Sequence, residues 1–302
     1  MSAVNDSVLW VSGTAGKTGV TTNSGKTWQW ITVPGYDTCD WRTIYAFSKE
    51  RALLLNAGEP ASIVLTQNGG KTWERVYFND TKGIFFDGIT FKNKKDGLAI
   101  GDPMKGRFTI IHTKDGGLTW QPAPVEQQTV AQNGEAIFAA SNSSITTLQD
   151  GNACFVSGGT VSHFFKGWQQ WQRVNWPMTQ GSSGQGAFSV AFFNSLKGVA
   201  VGGDYMHDTI NSQNCLLTDD GGKHWKKPLS APGGYRSCVK YISAEVLIAT
   251  GTSGTDLSED GGQHWKKISE TGFHAIAVSP SGKSVWLAGS GKIAELVISR
   301  KK

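Results

Sequence analysis

The sequence predicts an all-β fold: a seven-bladed β-propeller of four-stranded antiparallel blades, with the first and last blades incomplete. Two observations carry this prediction. An eight-residue motif recurs five times at blade-length intervals, and seven short apolar segments each end in glycine.

The motif first reads Thr21-Thr22-Asn23-Ser24-Gly25-Lys26-Thr27-Trp28. It returns as Thr66 to Trp73, Thr113 to Trp120, Thr218 to Trp225 and Ser258 to Trp265. Its fixed acids or amides are Asn23, Asn68, Asp115, Asp220 and Asp260, each followed five residues on by Trp28, Trp73, Trp120, Trp225 or Trp265. Asp or Asn can bond the backbone two residues ahead and hold a tight turn. Glycine accepts the positive φ that hairpin corners demand. Tryptophan opens the return strand and covers the corner, with an indole N–H that needs one partner. Each copy therefore predicts a β-hairpin, and its residues have a structural role. The first three Trp residues recur at intervals of 45 and 47, and Trp225 to Trp265 is 40. The 105-residue gap from Trp120 to Trp225 holds two units, the first eroded to Phe165-Lys166-Gly167-Trp168 and Trp171.

The glycine-ending segments are Trp10 to Gly13, Leu55 to Gly58, Ala99 to Gly101, Val156 to Gly158, Ala200 to Gly202, Ala249 to Gly251 and Leu287 to Gly289. They are expected to be the second strands of seven blades, where small residues suit the crowded inner zone. Innermost strands precede six of them, at 43–47, 88–91, 144–148, 189–193, 237–242 and 274–278. The blades run roughly 8–33, 41–78, 85–124, 143–175, 187–228, 236–268 and 273–298, within one domain of residues 1–302. Two strands are missing from this pattern: the inner strand of the first blade and the outer strand of the last. They would be contiguous just upstream of residue 1, so a longer form is expected to carry them, and their absence leaves open strand edges. A six-bladed ring with irregular ends is the alternative.

The net charge of +5 is modest, and its lysines are scattered over turns and the tail Arg300-Lys301-Lys302, so no nucleic-acid footprint is expected. No apolar run reaches 18 residues, so no transmembrane helix is expected, and no signal peptide precedes the first strand. The four cysteines lack C-x-x-C spacing. Cys215 and Cys238 could form a disulfide or remain two buried thiols. His112, His163, His224 and His264 are expected to be packing or surface residues. No cofactor or metal is expected, because phosphate-cradling loops, nucleophile elbows and zinc signatures are missing.

The motif resembles the Asp-box, or BNR repeat, of sialidases, sortilin-type receptors, some glucanases and propellers that assist photosystem II assembly. The whole chain is similar to a bacterial group of Asp-box propellers related to the photosystem II assembly and stability factors. Ile100-Gly101-Asp102-Pro103, Val156-Ser157-Gly158-Gly159, Val201-Gly202-Gly203-Asp204 and Gly234-Tyr235-Arg236-Ser237-Cys238 carry that likeness, over the middle four blades. The resemblance implies a non-catalytic, exported (periplasmic or secreted) protein that binds protein partners. No dinucleotide turn, haem string or cysteine pair supports a redox role.

In a four-stranded blade, the loops after the second and fourth strands share one face, the ligand-binding one by family precedent. Here those loops carry Trp41, Arg42, Asp102, Arg107, Glu135, Asp204, Tyr235, Arg236 and His274, the candidate ligand-binding residues. Converging acids, arginines and aromatics suit a polar pocket for a protein or carbohydrate, an acidic partner included. Two linkers, Pro122 to Ala136 and Pro177 to Ala187, are long enough to be functional or mobile. The competing expectation is a sialidase-like or other glycoside hydrolase. In that reading Arg42, Arg107 and Arg236 clamp a carboxylate, Tyr235 and Glu135 form the nucleophile pair, and Asp40 or Asp102 is the acid. The sialidase Phe/Tyr-Arg-Ile-Pro string is unmatched, its nearest counterpart being Trp41-Arg42-Thr43-Ile44. A binding scaffold is the reading the residues favour, with no catalytic residue assigned.

Overall fold

The computed structural model describes residues 1–297 and is a seven-bladed β-propeller in which strand order follows the chain within each blade. Blade 1 comprises Ser2–Ala3, Leu9–Ser12, Lys17–Thr21 and Gln29–Thr32; blade 2 comprises Thr43–Ala46, Ala52–Leu55, Ala61–Thr66 and Glu74–Asn79. Blade 3 has Phe86–Phe91, Gly97–Met104, Arg107–Thr113 and Gln121–Pro122, and blade 4 has Ile145–Thr147, Ala153–Val156, His163–Gly167 and Trp171–Asn175. Blade 5 is built on Gln185–Phe192, Gly198–Asp204 and Cys215–Thr218, with a bridge from Leu217 to Lys226 marking its outer edge. Blade 6 contains Cys238–Tyr241, Leu247–Gly251, Gly254–Ser258 and Lys266–Ser269. Blade 7 has three strands among the described residues, Ala275–Val278, Val285–Gly289 and Lys292–Glu295. Ile298, expected in its third strand, and the basic tail lie outside the described residues.

The inner strand expected to be missing from blade 1 is present. A two-residue pairing suffices, Ser2 opposite Trp10 and Ala3 opposite Leu9. The Asn5 side chain holds the turn by accepting from the amides of Ser7 and Val8 at 2.9 and 2.8 Å.

Burial peaks in the second strands and falls toward the outer edge. The second strands of blades 2 and 4 are wholly buried, whereas the fourth strand of blade 1 is mostly exposed. Side chains alternate between the two faces of each sheet, so every blade contributes to two cores. Leu53, Ile63 and Leu65 of blade 2 meet Phe86, Ile89 and Ile111 of blade 3 in one of them.

All five motif corners repeat one hydrogen-bond scheme. The first-position hydroxyl accepts from the amide of the fifth residue, a glycine, at 2.8–3.0 Å. The Asp or Asn Oδ1 accepts from the backbone four residues ahead, at 2.9–3.0 Å, rather than two ahead as the sequence suggested. These bonds outweigh the effect of burial and hold the Asp115 carboxyl down to about 2. Only some capping indoles find a partner. Trp225 donates to the Gly222 carbonyl at 3.1 Å, while Nε1 of Trp73, Trp120 and Trp265 has none. The corners also touch the neighbouring blade. A Cβ on Gly25 would run into the Trp286 ring of blade 7, and one on Gly222 into Phe164 of blade 4.

Among the described residues, blade 1 and blade 7 close the ring without sharing a strand. Leu9 and Val11 pack with Ala277 and Trp286, and Ser281 and Ser284 donate to Asp6. All four cysteines are free; Cys154, Cys215 and Cys238 are buried, so the thiol alternative holds. No helix among the described residues is long and apolar enough to cross a membrane.

Candidate functional site

The loops after the second and fourth strands form one face, and two of them are stitched into the sheet of blade 5. Glu135–Ala136 pairs with Gly158–Gly159, which pairs with Gln185–Phe192. Glycine permits this seam, since Gly186 has φ 143° and a Cβ there would overlap the Gly158 backbone. The linker from Pro122 to Ala136 is ordered by backbone bonds from Phe108 to Thr129 and from Ala131 to Gly106.

The next segment, Ser141-Asn142-Ser143, crosses the channel, which the sequence did not foretell. Ser141 Oγ donates to the Ser237 carbonyl of blade 6 at 2.9 Å. Asn142, with φ 57°, accepts from Ile89 N of blade 3 at 2.8 Å and donates to the Ile44 carbonyl of blade 2 at 3.4 Å. Ser143 Oγ donates to Ser189 Oγ of blade 5 at 2.7 Å. One short segment can reach the inner edges of blades 2, 3, 5 and 6 only by lying within the ring. The small polar run from Ala139 to Ser144 was its only signal.

Four titratable groups from distant parts of the chain, Arg42, Asp87, Asp102 and His274, are electrostatically linked. The Arg42 guanidinium acts on both Asp87 and His274, and Asp87 feels the Asp102 carboxylate. Arg42 is half-exposed and held by Asp40 Oδ2 at 2.8 Å. His274 is exposed, and partial desolvation together with the Arg42 charge lowers its pKa. Asp102 accepts from Ile137 N at 3.0 Å, yet burial still raises its pKa. Asp87 is fully buried and neither carboxylate oxygen has a hydrogen-bond partner. Burial, then the Asp102 charge, raises its pKa well above the usual 3.8, against the pull of Arg42.

Asp87 gives a stability test. Between 3.8 and its raised folded pKa, the folded protein holds a proton that the unfolded chain has released. Wild-type stability therefore falls as pH rises through that window. Asp87→Asn removes this slope and is expected to stabilise the protein at neutral pH by on the order of 1–3 kcal/mol. The gain should close as pH falls toward 3.8, measured by urea unfolding across pH. A gain independent of pH would rule out ionisation of Asp87 as its source.

The remaining candidates are committed to internal partners. Trp41 is wholly buried against Tyr36, ring centroids 5.1 Å apart, and Arg236 is wholly buried against Asp256. Both are corrected from ligand contacts to core residues. Their positions beside exposed loops hid this, because the loop at 33–42 folds back over Trp41 and the acid that neutralises Arg236 lies 20 residues away. Glu135 is buried as well. Its Oε1 accepts from Ser157 Oγ at 2.5 Å and contacts His163 Nδ1 at 2.8 Å, and its Oε2 accepts from Gln132 N at 2.8 Å. Tyr235 is buried edge-on to Phe188, ring centroids 4.7 Å apart, and burial raises its pKa. Tyr235 and Glu135 share no hydrogen bond among the described residues, so the nucleophile pair is not formed. Arg107 donates to the Gln128 carbonyl at 2.8 Å, so the three arginines lie in three separate networks. Asp204 is bonded by His207, Gln185 and Met206 N, which together outweigh burial and lower its pKa.

An aromatic cluster completes the face. Phe138 stacks on Phe188 at 3.8 Å, and Tyr205 meets Phe188 and Tyr235 edge-on at 6.2 and 6.5 Å. Tyr205 and Met206 are exposed. Neither Phe138 nor Phe188 was singled out from the sequence, since only pairing of the two loops brings them together. No group of three potential metal ligands occurs among the described residues.

No protein-family model matches the chain, and no curated protein matches its sequence. Among solved structures, it is similar to "YCF48 bound to D1 peptide", at 15% identity and TM-score 0.70, covering 99% of this chain and 92% of that one. It is also similar to YCF48 from Cyanidioschyzon merolae, at 15% identity and TM-score 0.64, covering 95% and 90% of the two chains. The WD40 domain of Neurospora crassa Pan2 matches at 11% identity and TM-score 0.63, covering 98% and 86%. The likeness to photosystem II assembly propellers read from the sequence is thus matched by the fold over nearly the whole chain.

Proposed function

We propose that this protein is a non-catalytic propeller that binds a segment of another protein across its loop face. The observation that carries the reading is how the charges on that face are spent. Arg236, Glu135 and Arg107 are paired or bonded internally, and the Ser141–Ser143 segment crosses the channel below. What remains accessible is a broad surface offering Arg42, Tyr205, Met206 and His274. A planar cation and exposed aromatic or thioether groups suit a draped peptide better than an enclosed sugar ring. A peptide bound to YCF48 in a structure of the same fold supports this reading.

The test is selection from a displayed peptide library, followed by titration of the selected peptides. Arg42→Ala and Tyr205→Ala are expected to weaken binding by about tenfold or more each, while an outer-strand Gln29→Ala leaves it unchanged. Selected peptides that bind both face variants as tightly as wild type would refute the proposed surface. A panel of fluorogenic glycosides addresses the hydrolase alternative. Turnover lost in Arg42→Ala would favour the enzyme over the scaffold.

A further inference from the structure

The corner motifs act between blades, and the blade 3–blade 4 junction is one of two that lack such a corner, since blades 4 and 7 carry no motif. The fifth residue of each motif is a glycine pressed on apolar side chains of the preceding blade. Gly25 meets Trp286, Gly70 meets Ile31 and Trp10, and Gly117 meets Leu53. Trp10, Leu53 and Trp286 are each the second residue of a second strand. Leu98 holds that place in blade 3. Blade 4, however, turns from His163–Gly167 to Trp171–Asn175 through Trp168, Gln169 and Gln170 alone, too short for the motif. While the Gly222 and Gly262 corners rest on third-strand Phe164 and Leu217, no glycine corner meets Leu98, which is buried instead beside Trp168. A cavity of about 170 Å³ opens there, between blades 3 and 4 on the outer rim.

The lining defines what would fit. The floor is Leu98, Ile110 and Ala123, with Trp168 as one wall. Lys114, His112 and Gln127 lie at the polar edge. A second cation, Lys92 Nζ, stands 5.4 Å from the Trp168 ring centroid. Asp96, the one acid among these lining residues, accepts from Asn93 Nδ2 at 2.7 Å. Partial burial, then the Lys114 charge, lowers the His112 pKa, which favours a neutral imidazole. A cavity of about 150 Å³ is enough for a benzene ring. Aromatic rings pair favourably with a Trp face or edge, and an ammonium binds carboxylate through charge-assisted hydrogen bonds.

We propose that this cleft is a binding site for a small aromatic carboxylate, with the ring seated between Leu98 and Trp168 and the carboxylate held by Lys114. The site is on the rim, so it stands independently of the loop-face reading. The probe is phenylacetate, with phenylacetamide as its neutral isostere, titrated against the full chain labelled with ¹⁵N-tryptophan. The Trp168 indole resonance is assigned through Trp168→Phe.

Phenylacetate is expected to shift the Trp168 signal saturably, and phenylacetamide to bind about tenfold more weakly. Lys114→Ala should reduce phenylacetate to the level of the amide. Leu98→Trp, which copies blades 1 and 7, should fill the cleft and abolish the shift. Gln127→Trp blocks the same opening from a partly exposed position, should Leu98→Trp not fold. The proposal is overturned if Trp168 does not respond to phenylacetate at about 10 mM, a level that would saturate even a millimolar site. It is equally overturned if acid and amide bind alike, or if a folded blocking variant keeps the response.

Discussion

Asp256→Ala is expected to destabilise the protein by about 3–5 kcal/mol, the loss typical of removing one partner from a buried ion pair. Arg236 has no exposed side-chain surface and Asp256 has 2%. The Asp256 carboxylate meets Arg236 Nε at 2.5 Å, and Arg236 Nη1 donates to the Tyr235 carbonyl and Ser253 Oγ at 2.7 and 2.9 Å. Arginine cannot shed its proton to escape burial, so without Asp256 a full positive charge remains in the core of blade 6. Urea unfolding measures the loss directly as a lower midpoint at unchanged slope. The double variant Arg236→Met/Asp256→Leu should recover most of it, because well-packed apolar groups often replace buried ion pairs at little cost. A single-variant loss near 1 kcal/mol, that of an exposed pair, would show that water reaches this site.

Trp286→Ala is expected to cost about 3–5 kcal/mol, as large-to-small core substitutions of aromatics do. Its position gives the loss a distinctive pattern. Trp286 lies in the three-stranded blade 7, meets Trp28 edge-on at 6.5 Å, and is the surface on which the Gly25 corner of blade 1 rests. Blades 1 and 7 share no strand among the described residues, so this contact, the packing of Leu9 and Val11 on Ala277 and the Asp6 hydrogen bonds hold the seam. Hydrogen exchange should therefore accelerate first in Leu9–Ser12 and Val285–Gly289. Uniform acceleration around all seven blades would locate the weakest junction elsewhere.

Both predictions rest on features that the sequence disclosed unequally. The corners were legible because a tight turn constrains residue type locally: Asn68, Gly70 and Trp73 announce themselves within eight positions. The second strands were legible for a similar reason, since small and apolar residues ending in glycine suit only the inner zone. The loop face was harder. Arg42 and His274 lie on rim segments and both are exposed. Arg236 and Trp41 sit on equally rim-like segments, yet they turn inward, and that choice depends on Asp256 and Tyr36 rather than on their own neighbours in sequence. The Ser2–Ala3 strand escaped notice because two residues carry no periodicity. The eroded motif of blade 4 was visible as a gap, but its effect on Leu98 emerges only where two sheets meet.

The segment Ser141-Asn142-Ser143 changes how the ring should behave as a whole. Arrays of repeats are held by nearest-neighbour contacts and can melt piecemeal from a weak end. Here three consecutive side chains tie blades 2, 3, 5 and 6 to a common hub. Withdrawing any one of those blades frays the anchor of the other three, so their loss should be concerted.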